Sequence, residues 1–194
     1  MAYSKISNRT GEYLAKQLQL SEEQAEIISY GLEKMIFTTL GFLAILAVGW
    51  LIQIPLQTFA AVLTGASLRK FSGGNHCSTA LRCLITGALI YPAGAWLAGL
   101  CFRLYGASAY YLCCMVAIIF VIFLVISRFA PVDSPGKPII SAEFRKQLRY
   151  KSQFMVVITG TLSVFLGNSD IGTAIIAGLM LQTGTLLAAK IIRR

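Results

Sequence analysis

Apolar residues fill six stretches of the chain, approximately 35–52, 54–68, 79–100, 108–127, 153–167 and 171–189, with polar residues gathered between them. An α-helix crosses about 30 Å of hydrocarbon at 1.5 Å per residue, so runs of roughly this length read as membrane spans. The pattern predicts an all-α polytopic integral membrane protein with about six transmembrane helices. Two of the stretches are short. The first pair is divided only around Gln53 and Pro55, which requires a tight hairpin and asks 54–68 to borrow residues from its flanks. Pro92 is expected to kink the third helix.

Residues 1–34 are polar to amphipathic and read as an N-terminal interfacial helical segment leading into a six-span domain over 35–194. Ser21-Glu22-Glu23-Gln24 matches a capping box, in which Ser21 and Gln24 satisfy each other's free backbone donors. Glu22, Glu23 and Glu26 suit the positive end of the helix dipole, and Ile28, Leu32 and Met35 recur at helical spacing. Nine charged side chains in this segment and no apolar core of the required length argue against a cleavable signal peptide, so the N-terminus is expected to be retained.

Composition supports the membrane reading: 56% hydrophobic, 13% charged and a mean hydropathy of +0.70, against about 25% charged in soluble domains. A net charge of +9 invites a nucleic-acid reading, but in such a chain basic residues record orientation and contact with anionic lipid, so no nucleic-acid partner is expected. On the six-span topology 16 of the 17 basic residues fall on one side, with Arg103 alone opposite. By the positive-inside rule both termini and the two basic loops face the cytoplasm of a multi-pass cell-membrane protein, and Trp50, Trp96, Tyr105, Tyr110 and Tyr111 form an outer aromatic belt. The five cysteines lack paired CxxC spacing and do not read as a disulfide framework.

Between the second and third apolar stretches lies RKFSGGNHCSTALRC, Arg69 to Cys83, which holds the only histidine of the chain and two of its cysteines. A thiol beside an imidazole is the minimum for nucleophilic catalysis, because the imidazole takes the thiol proton. On one straight helix His76 and Cys83 would share a face but stand about 10.5 Å apart along the axis, too far for contact. Gly73-Gly74 relieves this by allowing a structural turn, with Ser78 or Thr79 capping a new helix that carries Cys83 near the positive end of its dipole and beside Arg82. The bland alternative is a solvated histidine and a cysteine serving as a small hydrophobe. Cys101, Cys113 and Cys114 take that bland role, Cys77 is a rival nucleophile, and a zinc site from His76, Cys77 and Cys83 lacks a fourth ligand. No metal or cofactor is therefore expected.

The Gly73-Gly74-Asn75-His76 turn with Arg69 upstream, Cys83 seven residues after the histidine, and the later run Ala130-Pro131-Val132-Asp133-Ser134-Pro135-Gly136-Lys137-Pro138-Ile139 together resemble the accessory gene regulator B (AgrB) family. The resemblance covers essentially the whole chain in length and span pattern. It implies a membrane-embedded cysteine endopeptidase of Gram-positive quorum sensing that trims the C-terminal part of a small AgrD-like propeptide and promotes a thiolactone or lactone ring. It also implies Cys83 as nucleophile, His76 as its base, and a homodimer. Cys77 departs from the pattern, where alanine is common. Asp133 and Asn75 are candidates to orient the histidine, Asn75 also to bind an oxyanion. Arg69, Lys70, Arg145, Lys146 and Arg149 are candidates to attract an acidic propeptide tail, with topology and lipid anchoring as the plainer role of each. The rival function is a small transporter or peptide-export component, against which the spans carry almost no ionisable groups.

Overall fold

A helix in or beside hydrocarbon must satisfy the free donors of its first turn, and this chain places capping residues at most helix starts. The computed structural model describes residues 2–74, 79–106, 108–133, 139–167 and 169–192. They form α1 (Ala2–Gln17), α2 (Glu22–Leu51), α3 (Pro55–Ser72), α4 (Ala80–Tyr105), α5 (Ala109–Phe129), α6 (Ala142–Phe165) and α7 (Asp170–Ile192), and no strand occurs among the described residues. At α2, Ser21 and Gln24 exchange both bonds of the expected capping box. Pro55 opens α3, where its missing N–H costs nothing. Thr79, Ser108 and Ser141 cap α4, α5 and α6 through their hydroxyls, and Ser169 accepts from Gly172 N at the start of α7.

Helices occupy all six apolar stretches, yet only α2, α4, α5 and α7 are long and apolar enough to cross a membrane by length and composition among the described residues. The other two are diluted at one end. The 18 residues of α3 reach about 27 Å and its last turn carries Arg69 and Lys70. The first ten residues of α6 bring Glu143, Arg145, Lys146, Arg149 and Lys151 into that helix. Beyond those polar ends both still turn large apolar side chains outward, Leu56 and Leu63 on α3, Phe154 and Phe165 on α6. Pro92 lies buried inside α4, where its ring removes the bond to the Ala88 carbonyl.

The chain divides into two compact units, Met1–Ala44 and Ile45–Arg194. In the first, α1 ends in a turn with Gln19 at φ 53°, and Leu20 N donates to Ala15 O at 2.9 Å. Gly11 passes so close to Ser29 that any side chain there would strike its hydroxyl.

In the second unit α7 is the inner helix. It packs against α3, α4, α5 and α6, and 61% of its span is buried, against 22% in α4 and 17% in α5. Lipid tails are as apolar as leucine, so burial alone does not hold such a helix; close packing and interhelical hydrogen bonds must. At one end Leu179 and Leu186 meet Leu68, Ile126 and Val156; at the other Ala174 meets Ala61, Ala95 and Ile54. The tightest approach is at Gly178, where a Cβ would run into the Ala61 carbonyl.

Replacing Gly178 by leucine should therefore lower the thermal midpoint of the detergent-solubilised protein by the equivalent of about 1–3 kcal/mol. Gly184→Ala, with open space around it, should change stability by less than about 0.5 kcal/mol. Equal effects in the two variants would show that the α3–α7 approach is not limiting.

Candidate functional site

The break between α3 and α4 is where the candidate chemistry gathers. α3 stops at Ser72 because Gly73 and Gly74 take φ of 70° and 151°, values that favour glycine over residues with a Cβ. Gly73 N still closes the helix onto Arg69 O at 3.0 Å. The turn is clasped on two sides. A Cβ on Gly73 would strike the Val132 carbonyl, and one on Gly74 would meet Thr185 Oγ1 at 2.9 Å and Gln182 Nε2 at 3.2 Å.

The same neighbours satisfy the turn's polar atoms. Val132 N donates to Ser72 O at 3.0 Å. Gln182, fully buried on α7, donates through Nε2 to Gly73 O at 2.7 Å and to Ser72 Oγ at 3.1 Å. The Thr185 hydroxyl has both the Gln182 backbone carbonyl, at 2.9 Å, and Gln182 Oε1, at 3.0 Å, as acceptors for its one proton. Charge counting and motif spacing do not point to Gln182, Ser72 or Thr185. The signal for them is an amide inside an apolar stretch, where a polar group without partners is costly.

Cys83 is the fourth residue of α4, half-buried, a free thiol, and its N–H donates to Thr79 O at 3.1 Å. Of the two capping candidates Thr79 is the N-cap, accepting from Arg82 N at 3.3 Å. Farther along α4 the Tyr91 hydroxyl lies against Gly65 of α3, so the two helices run side by side from the turn that joins them. The end of α3 that carries Arg69 and the start of α4 that carries Cys83 therefore share one end of the helix bundle. His76, Asn75 and Cys77 lie outside the described residues, as does the Ser134–Pro138 part of the second motif.

The loop after α5 belongs to this end too. Arg145 of α6 donates from Nη2 to both carboxylate oxygens of Asp133, at 3.0 and 2.8 Å, and to Ile139 O at 3.2 Å. Arg149 Nε donates to Ala130 O at 2.9 Å. These two candidate substrate-binding residues thus have work within the protein: they tie Ala130 and Asp133, on either side of the Val132 that touches the turn, to α6. Lys70 and Lys146 are exposed, each ammonium lying over the ring of its helix neighbour, Phe71 or Tyr150. Arg69 is half-buried on the last turn of α3.

Arg103 pairs instead with Asp170, at 3.7 Å. Asp170 opens α7, about 18 Å along that helix from Gln182. The isolated basic residue and the basic loops therefore occupy opposite ends of the bundle.

Because the Asp133 and Arg145 side chains are each 38% exposed, their pair contributes little stability, about 0–1 kcal/mol. Its expected signature is coupling: Asp133→Asn and Arg145→Gln should each lower the thermal midpoint slightly, and the double variant no further than the worse single one. Additive losses would show that the two side chains act independently.

A family model described as accessory gene regulator B matches residues 7–186. The chain is 28% identical over 155 residues to an AgrB-like protein of Clostridium perfringens (strain 13 / Type A), covering 79% of this chain and 72% of that protein. It is 24% identical over 203 aligned positions to an AgrB-like protein of Listeria monocytogenes serotype 4a (strain HCC23), covering 97% and 91%. No solved structure matches it.

Proposed function

The chain belongs to the accessory gene regulator B family, and on that footing we propose that it is a membrane-embedded cysteine endopeptidase in which His76 activates Cys83 against a small AgrD-like propeptide. The observation that carries this reading is the placement of Cys83. It is a free, half-buried thiol in the opening turns of α4, four residues beyond the N-cap Thr79, and the glycine turn that ends α3 leads by sequence to the single histidine just before that cap.

The chemistry balances without an oxidant or cofactor. His76 takes the Cys83 proton, the sulfur attacks a propeptide carbonyl, the C–N bond breaks, and the imidazolium returns the proton to the departing amine. The propeptide's N-terminal part is left as a thioester on Cys83. A thiol or hydroxyl of the same peptide then gives its proton to His76 and attacks that thioester, closing a thiolactone or lactone and releasing the enzyme thiol. Apolar surroundings at a membrane interface favour this internal attack by limiting water, and by holding both ends of the peptide they raise the effective concentration of the ring-closing group.

In this reading all six helices α2–α7 span the bilayer, with α3 and α6 extending their charged turns into the cytoplasmic interface. The apolar outer faces of α3 and α6 support that arrangement, as does the separation of Arg103 from the cationic residues at the end of α3 and the start of α6. The site then faces the cytoplasm, a reducing compartment that keeps Cys83 a thiol. Lys70 and Lys146, exposed at that end, are the residues freest to meet an acidic peptide tail.

The test is co-expression with a tagged propeptide. Cys83→Ser and His76→Ala should each abolish cleavage, by at least about 100-fold, with unchanged amounts of protein in the membrane. Continued processing by both variants would remove the proposed roles and leave a transport or export component as the better reading.

A further inference from the structure

We propose that Gln182 is a positioning residue for the catalytic turn: from inside α7 its amide holds the Gly73 carbonyl and so sets the direction in which the chain leaves α3 toward His76. This inference rests on the roles of His76 and Cys83 proposed above.

The orientation of the amide follows from its neighbours. The Gly73 carbonyl can only accept, so the NH2 must face it, and Oε1 is left facing the Thr185 hydroxyl, whose one proton is within reach of both Oε1 and the Gln182 backbone carbonyl. The remaining contact of the amide agrees, since Nε2 also reaches Ser72 Oγ. Gln182 differs in kind from other buried polar side chains of this unit. Thr64, Ser152, Ser163 and Thr183 each return their hydroxyl to a carbonyl of their own helix, three or four residues back. Gln182 directs its donors to residues 109 and 110 positions earlier in the chain.

A leucine could occupy this place in an apolar helix without desolvating an amide, so packing alone gives no reason for glutamine here. The reason lies in the turn. Gly73 and Gly74 are the most permissive backbone positions available, and their freedom would let the next residues leave α3 in many directions. Val132 closes one side of that space, and Gln182 with Thr185 closes the other. The buried amide thus converts a flexible diglycine into one defined exit, two residues before the histidine.

The experiment uses the full chain in membranes, with Cys77, Cys101, Cys113 and Cys114 replaced by serine or alanine so that Cys83 is the one alkylation target. Gln182→Met keeps length and approximate volume while removing both donors. It should lower kcat for tagged propeptide roughly 10- to 100-fold with KM changed less than about twofold, as expected from misplacing a catalytic group rather than losing substrate contacts. It should also slow iodoacetamide labelling of Cys83 at neutral pH, in the same direction as His76→Ala. Thr185→Val, which removes the hydroxyl facing Oε1 without touching the donors, should give a smaller fall in both readouts and serves if Gln182→Met does not accumulate. Wild-type kcat and labelling per molecule in both variants, whatever their abundance, would overturn the proposal and leave Gln182 a structural residue. If His76→Ala slows labelling but the Gln182 and Thr185 variants do not, this inference falls alone. If His76→Ala leaves labelling unchanged, the proposed thiol–imidazole partnership falls and this inference with it.

Discussion

A chain that stops a helix beside hydrocarbon frees carbonyls that water does not reach, and each must find a donor elsewhere in the protein. At the end of α3 one donor is local, the Ser72 hydroxyl reaching the Gly73 carbonyl at 3.1 Å, and the others come from two distant places. The Ser72 carbonyl receives the Val132 N–H from the loop after α5, and the Gly73 carbonyl receives the Gln182 amide from α7. The break that separates the candidate base from the candidate nucleophile is thus braced from outside by the loop after α5 and by α7.

The same requirement explains the position of α7. A helix that supplies hydrogen bonds to its neighbours has to be surrounded by them, and α7 is the most buried of the long apolar helices. Glycine at 178 lets its backbone come within touching distance of α3, and that approach brings Gln182, one turn later, under the end of α3. Close packing and the polar clasp are therefore one arrangement, set by small residues and completed by an amide.

The basic residues at this end serve in more than one way. Counted along the chain they are a topological signal, and their asymmetry about the bilayer needs no knowledge of contacts. In space Arg145 and Arg149 also hold the Ala130–Asp133 segment, through the Asp133 carboxylate and the Ala130 carbonyl, so that Val132 meets the turn. Asp133, a candidate partner of the histidine from its place in a motif, has its carboxylate on Arg145. Sequence spacing could not show the Asp133–Arg145 pair, because residues 133 and 145 are brought together by a loop and a helix start whose relative direction is set by packing.

Helix positions were legible without coordinates because they depend on neighbours in the chain: the length of an apolar run, a Ser21–Gln24 box, a threonine ahead of an apolar segment, two glycines where a helix must end. The candidate thiol was legible for the same reason, being a residue type at a motif spacing. The extension of α3 past residue 68 was legible too, because 54–68 is too short to span without its flanks; the early start of α6 was not, since a charged turn joins a helix or a loop according to what receives its side chains. Nor was Gln182, whose meaning depends on partners more than 100 residues away. Periodicity and caps are local physics, whereas a hydrogen bond between α7 and the end of α3 exists only after the helices have packed.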